Sequence, residues 1–144
     1  MSIIKFMRNL YQSPIFLLAF VVITMLFIAP TFAQSQTAMN MKAYSDYKKA
    51  DAELNGVYQK ILKSYSRETT FIKKFRNAQR LWIQLRDAEL AAKYPNSGTY
   101  GSVAPMCESI YLETLTRDRI KFLYVWVTGI EEGEVCLGSV RMKS

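Results

Sequence analysis

Apolar positions recur at three- and four-residue steps in three separate stretches, the signature of helices that bury one face. In the first stretch Tyr47, Leu54, Tyr58, Ile61, Leu62 and Tyr65 keep that spacing, with Asp51 in the same series. They predict a helix from near Met39 to about Ser66. Gly56 lies inside it and costs roughly 1 kcal/mol relative to alanine; its expected use is close approach of a neighbouring helix. In the second stretch Phe71, Ile72, Phe75, Ala78, Trp82 and Leu85 form the apolar face. That helix is expected to stop at about Lys93, because a residue preceding proline (here Pro95) disfavours the helical region. In the third, Ile110, Leu112, Leu115, Arg119, Ile120, Phe122, Leu123, Trp126 and Val127 predict a helix from Met106 to Thr128, ended by Gly129. No strand-like alternation of useful length interrupts the three, and no repeat is visible. The expected fold is all-α: a three-helix antiparallel bundle followed by an irregular C-terminal return segment, GIEEGEVCLGSVRMKS.

Residues 78 to 89, AQRLWIQLRDAE, change this picture by adding polar groups to the buried side. Gln79, Trp82, Arg86 and Glu89 fall along one helical stripe, three, four and three apart. A tryptophan and an arginine on adjoining turns suit a helix packed against two others. Arg86 is expected to pair with a carboxylate of the first helix, Asp51 being favoured, with Thr116 or Arg119 nearby and Trp82 alongside. These five residues form an expected structural polar centre.

The N-terminus reads as an export segment. Lys5 and Arg8 precede an uncharged run from Ile15 to Ala29, Pro30 breaks it, and Thr31-Phe32-Ala33 offers a cleavage site. A spanning helix needs roughly 20 apolar residues, so a cleaved signal peptide over residues 1–33 is preferred to a retained anchor. The domain is then residues 34–144, with 34–40 a polar, flexible start, and membrane contact arises only if the first segment stays attached. The expected location is periplasmic or extracellular. Two cysteines, Cys107 and Cys136, suggest one disulfide in an oxidising compartment, the alternative being two free thiols. The bridge is demanding. Thr128 lies 128 − 107 = 21 residues beyond Cys107, ~31 Å of helix, and the eight residues back to Cys136 reach at most ~29 Å.

Charge and composition limit the chemistry. The formal net charge is +7; without Lys5 and Arg8 it is +7 − 2 = +5. Basic and acidic residues are interspersed, so a nucleic-acid stripe is not expected. The chain has no histidine, and no phosphate loop or metal-ligand cluster is visible. Asp51 with Glu53, and Asp87 with Glu89, lie two apart on helices and face different ways, so neither pair is an acid/base dyad by itself; the alternative is a lysozyme-like hydrolase with carboxylates from different helices. No catalytic residue, cofactor or metal is expected. The loop YPNSGTYGSVAP, residues 94–105, is the natural place for binding side chains, or else a plain helix connection.

Taken together, the motifs resemble those of the LprI-type lysozyme-inhibitor domain, a small exported helical domain of bacterial envelopes. The matching pieces are Met39-Asn40, Ala50-Asp51-Ala52-Glu53-Leu54-Asn55, Ala78-Gln79 with Trp82, and Arg86-Asp87-Ala88-Glu89. Gly101-Ser102, Ala104-Pro105-Met106, Leu115-Thr116 and Arg119 complete them. Lys42 and Leu90 stand where relatives often carry cysteines. The resemblance implies binding and inhibition of lysozyme. A charge of +5 opposes steering towards cationic lysozymes, so a local acidic patch is needed. Glu131, Glu132 and Glu134 are the densest acidic group, and a Cys107–Cys136 bridge would draw them to Tyr94, Asn96 and Tyr100 as a partner-contact surface. The alternative role is a non-inhibitory adaptor. Its basic faces (Lys48, Lys49, Lys60, Lys63, Lys73, Lys74, Arg76) would bind an anionic envelope polymer or a protein, unless they are simply solvated.

Overall fold

The computed structural model describes residues 14–143 apart from Ser97, with side chains described from Ser35 onward. The chain divides into two compact units, Met1–Met39 and Asn40–Ser144. Among the described residues three helices make up the regular structure: α1 (Pro14–Ser64), α2 (Thr69–Lys93) and α3 (Ala104–Thr128), the last entered through a 3-10 turn at Gly101–Val103. Lys5 and Arg8 lie outside the described residues. The backbone from Pro14 is helical and continues past Pro30, so residues 34–40 belong to α1 instead of forming a flexible start. The segment QSQTAMN contains no helix breaker, and its Ala, Gln and Met favour helix once a flanking turn exists. Among the described residues no helix is long and apolar enough to cross a membrane.

The second unit is an all-α bundle. Its core is Leu54, Val57, Ile61 and Tyr65 of α1 with its C-terminal turn, Phe75 of α2, and Ile120 and Leu123 of α3. All but Val57 are positions named in the three periodic stretches; Val57 falls between Leu54 and Ile61 on the same face. Ring contacts join them: Tyr58 stacks on Phe75 at 5.4 Å, Phe71 on Phe75 at 5.3 Å, and Tyr65 meets Phe71 at 4.7 Å. Five assigned packing positions face outward instead: Ala78 and Leu85 (56% exposed) of α2, and Ile110 (48%), Phe122 (59%) and Val127 (36%) of α3. Each sits on a helix whose inner stripe is already filled. At Gly56 an added Cβ would meet nothing within 4 Å, so it permits no close helix approach.

The ends of the helices explain the connections. Glu68 N–H bonds to the Tyr65 carbonyl at 2.8 Å, closing the tight α1–α2 turn. Tyr94 N–H bonds to Leu90 O at 2.9 Å as α2 stops before Pro95. Pro105 stands in the first turn of α3, where its missing N–H costs nothing. Gly129 ends α3 at φ 74°, and a Cβ there would lie 2.8 Å from the Arg141 carbonyl oxygen. That turn decides where the tail goes. Ile130 N–H donates to Arg141 O at 3.1 Å and Lys143 N–H to Ile130 O at 2.9 Å. The tail thus closes on itself beside the α1–α2 turn, where Arg141 Nη2 donates to Ser64 O (3.0 Å) and Glu68 Oε1 (2.7 Å). Its guanidinium lies 4.1 Å from the centroid of the Tyr65 ring.

This tail position corrects the expected disulfide. Cys107 and Cys136 are both free thiols. Cys107 is in the first turn of α3, whereas the tail folds beyond the last turn, ~31 Å away along the helix. The return segment is irregular but does not run back along α3.

Candidate functional site

Two arrangements carry polar chemistry. The first is the middle of the bundle. Arg86 of α2 points inward, its side chain only 11% exposed, and Nη1 lies 3.6 Å from Asp51 Oδ1 of α1. Its closer partner is Asp87, with Nη2 at 2.9 Å and Nε at 3.0 Å from Oδ1. The guanidinium carbon lies 5.4 Å from the Trp82 ring and 6.0 Å from Tyr47. Arg119 of α3 approaches Trp82 as well, at 5.6 Å, and its Nε donates to the buried Gln79 Oε1 at 3.1 Å. Trp82 therefore touches two cations from two helices. Burial lowers the Arg119 pKa. Thr116, fully buried, has an Oγ1 without a protein partner. Nearby, Arg117 spans from Glu113 to Glu53 of α1, at 2.8 and 3.4 Å.

The second is the end of the bundle at the α2–α3 loop. Tyr94 and Tyr100 meet edge to face at 5.5 Å. Lys93 Nζ lies 3.8 Å from the Tyr111 ring centroid and 5.9 Å from that of Tyr94. Burial raises the Tyr94 pKa, with Cys107 and Glu108 adding to the effect. Asn40 Nδ2 donates to Ser102 O at 3.0 Å and ties the loop to α1. Met41 (68%) and Tyr44 (57%) are exposed within a turn of Asn40, and Asn96 is exposed beside Tyr94.

Glu131, Glu132 and Glu134 do not join this loop. They are exposed on the tail, with Val135 at 94% exposure beside them. Glu131 pairs with Lys143. The helices run antiparallel, so loop and tail occupy opposite ends of the bundle. The single partner-contact surface expected from a disulfide is two separate surfaces. Nothing in the residue pattern pointed to Tyr47 against Arg86, Arg141 on Tyr65, or Lys93 over Tyr111. Only Lys93 and Tyr94, adjacent at a helix end, left any local signal. Among the described residues no group of three or more His, Cys, Asp or Glu could hold a metal.

A family model described as lysozyme inhibitor LprI matches residues 29–123. The chain belongs to the LprI lysozyme-inhibitor family. The LprI match covers the polar centre, the aromatic loop and most of α3, and ends before the acidic tail. No curated protein and no solved structure matches the chain.

Proposed function

We propose that this LprI-family protein is an exported, non-catalytic inhibitor of lysozyme. The observation that carries the reading is the family match over residues 29–123. Residues 1–33 act as the export segment, removed after Ala33. The loop end is the contact surface. It lies wholly within the matched region, and its composition is that of an interface: tyrosines as rigid anchors and exposed methionines. The aromatic contacts and the Asn40 bond support a loop ordered before binding, which lowers the entropy lost on association. The acidic tail, outside the match, serves long-range attraction to a cationic enzyme.

Inhibition of purified c-type and g-type lysozymes by the purified protein tests this. Tyr100→Ala is expected to weaken inhibition about tenfold or more, as anchor residues do. Changing Glu131, Glu132 and Glu134 to glutamine should slow association at low salt and leave dissociation unchanged. Absence of inhibition of either enzyme at micromolar concentration refutes the proposal.

One observation favours the adaptor as a second reading. Lys73, Arg76 and Arg80 line an open groove of about 610 Å³ with Asn77 and Ser66. Such a basic groove suits an anionic envelope polymer. Salt-sensitive pull-down of cell-wall material, lost when Lys73 and Arg76 become glutamine, supports the adaptor; salt-insensitive one-to-one binding of lysozyme supports the inhibitor.

A further inference from the structure

A second groove runs along the other side of α2, between α2 and α3. It measures about 590 Å³, within the usual range for small-ligand sites. Its walls are Phe71 and Phe75 of α2 and Phe122 and Trp126 of α3, with Lys74 and Arg119 as its only charged lining residues. The groove is polarised. Ser139 of the tail lines the end near Trp126, held there by the Trp126 Nε1–H bond to Ser139 Oγ at 3.1 Å. Arg119 stands one to two turns away, about 10 Å along α3. Arg119 commits only Nε to the protein, through Gln79. Among the described residues it has no carboxylate partner, whereas Arg86 and Arg117 each have two. Its guanidinium is held against Trp82 and Phe122, 5.1 Å from the latter ring. Burial without a counter-charge is unfavourable for a cation, and it lowers the Arg119 pKa. Phe122 is 59% exposed at the rim.

We infer that this groove binds a single-chain fatty acid, its alkyl body against the aromatic end and its carboxylate on Arg119 with Lys74 assisting. The two free Nη groups present the planar fork that a carboxylate accepts. The tail at Ser139 lies across one end, which suits a short flexible chain better than a helix that must run past both ends. The site is distinct from the loop end and from the basic groove.

The test uses the full chain in the envelopes of cells that express it. Envelopes are incubated with a diazirine-bearing decanoate, whose chain matches the span from Arg119 to Ser139, irradiated, and digested for mass spectrometry. Adducts are expected on the peptides containing Phe71 to Ala78 or Phe122 to Trp126, and unlabelled decanoate should remove them. Arg119→Gln should lower the yield about tenfold or more, the weight of a charge-assisted pair, and Lys74→Gln, on an exposed side chain, should lower it less. A diazirine alcohol of the same length reports whether the groove is intact. It should label wild type and Arg119→Gln alike. Adducts outside the groove, acid labelling indifferent to Arg119, or equal labelling by a diacyl phospholipid probe would each overturn the assignment.

Discussion

Replacing Arg86 by alanine tests whether the middle of α2 is a structural joint. The cost has three parts. Removing one partner of a fully buried ion pair costs ~3–5 kcal/mol. Asp51 keeps 29% side-chain exposure and lies 3.6 Å from Nη1, so water recovers part of that loss and about 1.5–2 kcal/mol is the reasonable share. The contacts with Trp82 and Tyr47, at 5.4 and 6.0 Å, sit near the outer limit for cation–π attraction and add about 0.5 kcal/mol each. Asp87 is 59% exposed and contributes at the level of a surface pair, below ~0.5 kcal/mol. The total is about 2.5–3.5 kcal/mol. For a domain of this size that lowers Tm by roughly 10–15 °C. Thermal melts by circular dichroism measure it. A cycle with Asp51→Asn should give a coupling of ~1–2 kcal/mol, since the pair is in direct contact. If Arg86→Ala moved Tm by less than about 2 °C yet abolished binding of a partner, the joint would be a recognition surface and the reasoning would be wrong.

Three further expectations concern single positions. Thr116→Val removes a buried hydroxyl that has no protein partner at nearly constant volume. It should stabilise by ~1 kcal/mol in denaturant melts; destabilisation would reveal a hidden partner. Gly129→Ala forces an L-residue to φ 74° and drives its Cβ against the Arg141 carbonyl. It should release the tail at a cost of ~2 kcal/mol. Hydrogen exchange would then quicken at Ile130 and Lys143 while α2 stays protected. Hydrogen bonds from Lys42 and Lys49 hold the Asp46 carboxyl at about 2, below its ordinary 3.8. Its stabilising share is complete above pH 3.8 and disappears as pH falls through 2, and Asp46→Asn should flatten the acid melting curve across that window.

The helices were legible because burial imposes a period. Ile61, Phe75 and Leu123 fall where the 3.6-residue repeat puts them, and Pro95 and Gly129 mark two helix ends by backbone chemistry alone. Side-chain facing was less legible: nothing local tells that Phe122 looks outward while Leu123 looks in. The destination of the tail was not legible at all. It depends on one positive φ at Gly129 and on backbone hydrogen bonds between Ile130 and residues eleven and thirteen positions later, which any residue types can make. The disulfide expectation failed for the same reason, since counting cysteines says nothing about which end of a helix each occupies. At the loop, Tyr94 and Tyr100 were visible as candidates, but their edge-to-face contact and the Lys93–Tyr111 pairing arise only once α2 and α3 are antiparallel.

The Arg141 contact has a consequence for how the bundle opens. The Ser64 carbonyl at the end of α1 and the Glu68 carboxylate both receive their bonds from one guanidinium, 77 and 73 positions away in the chain. One side chain therefore couples the α1–α2 turn to the segment beyond Gly129. A fluctuation that releases the tail also uncovers the Tyr65 ring and hands the Ser64 carbonyl to water, so turn and tail open as a single unit.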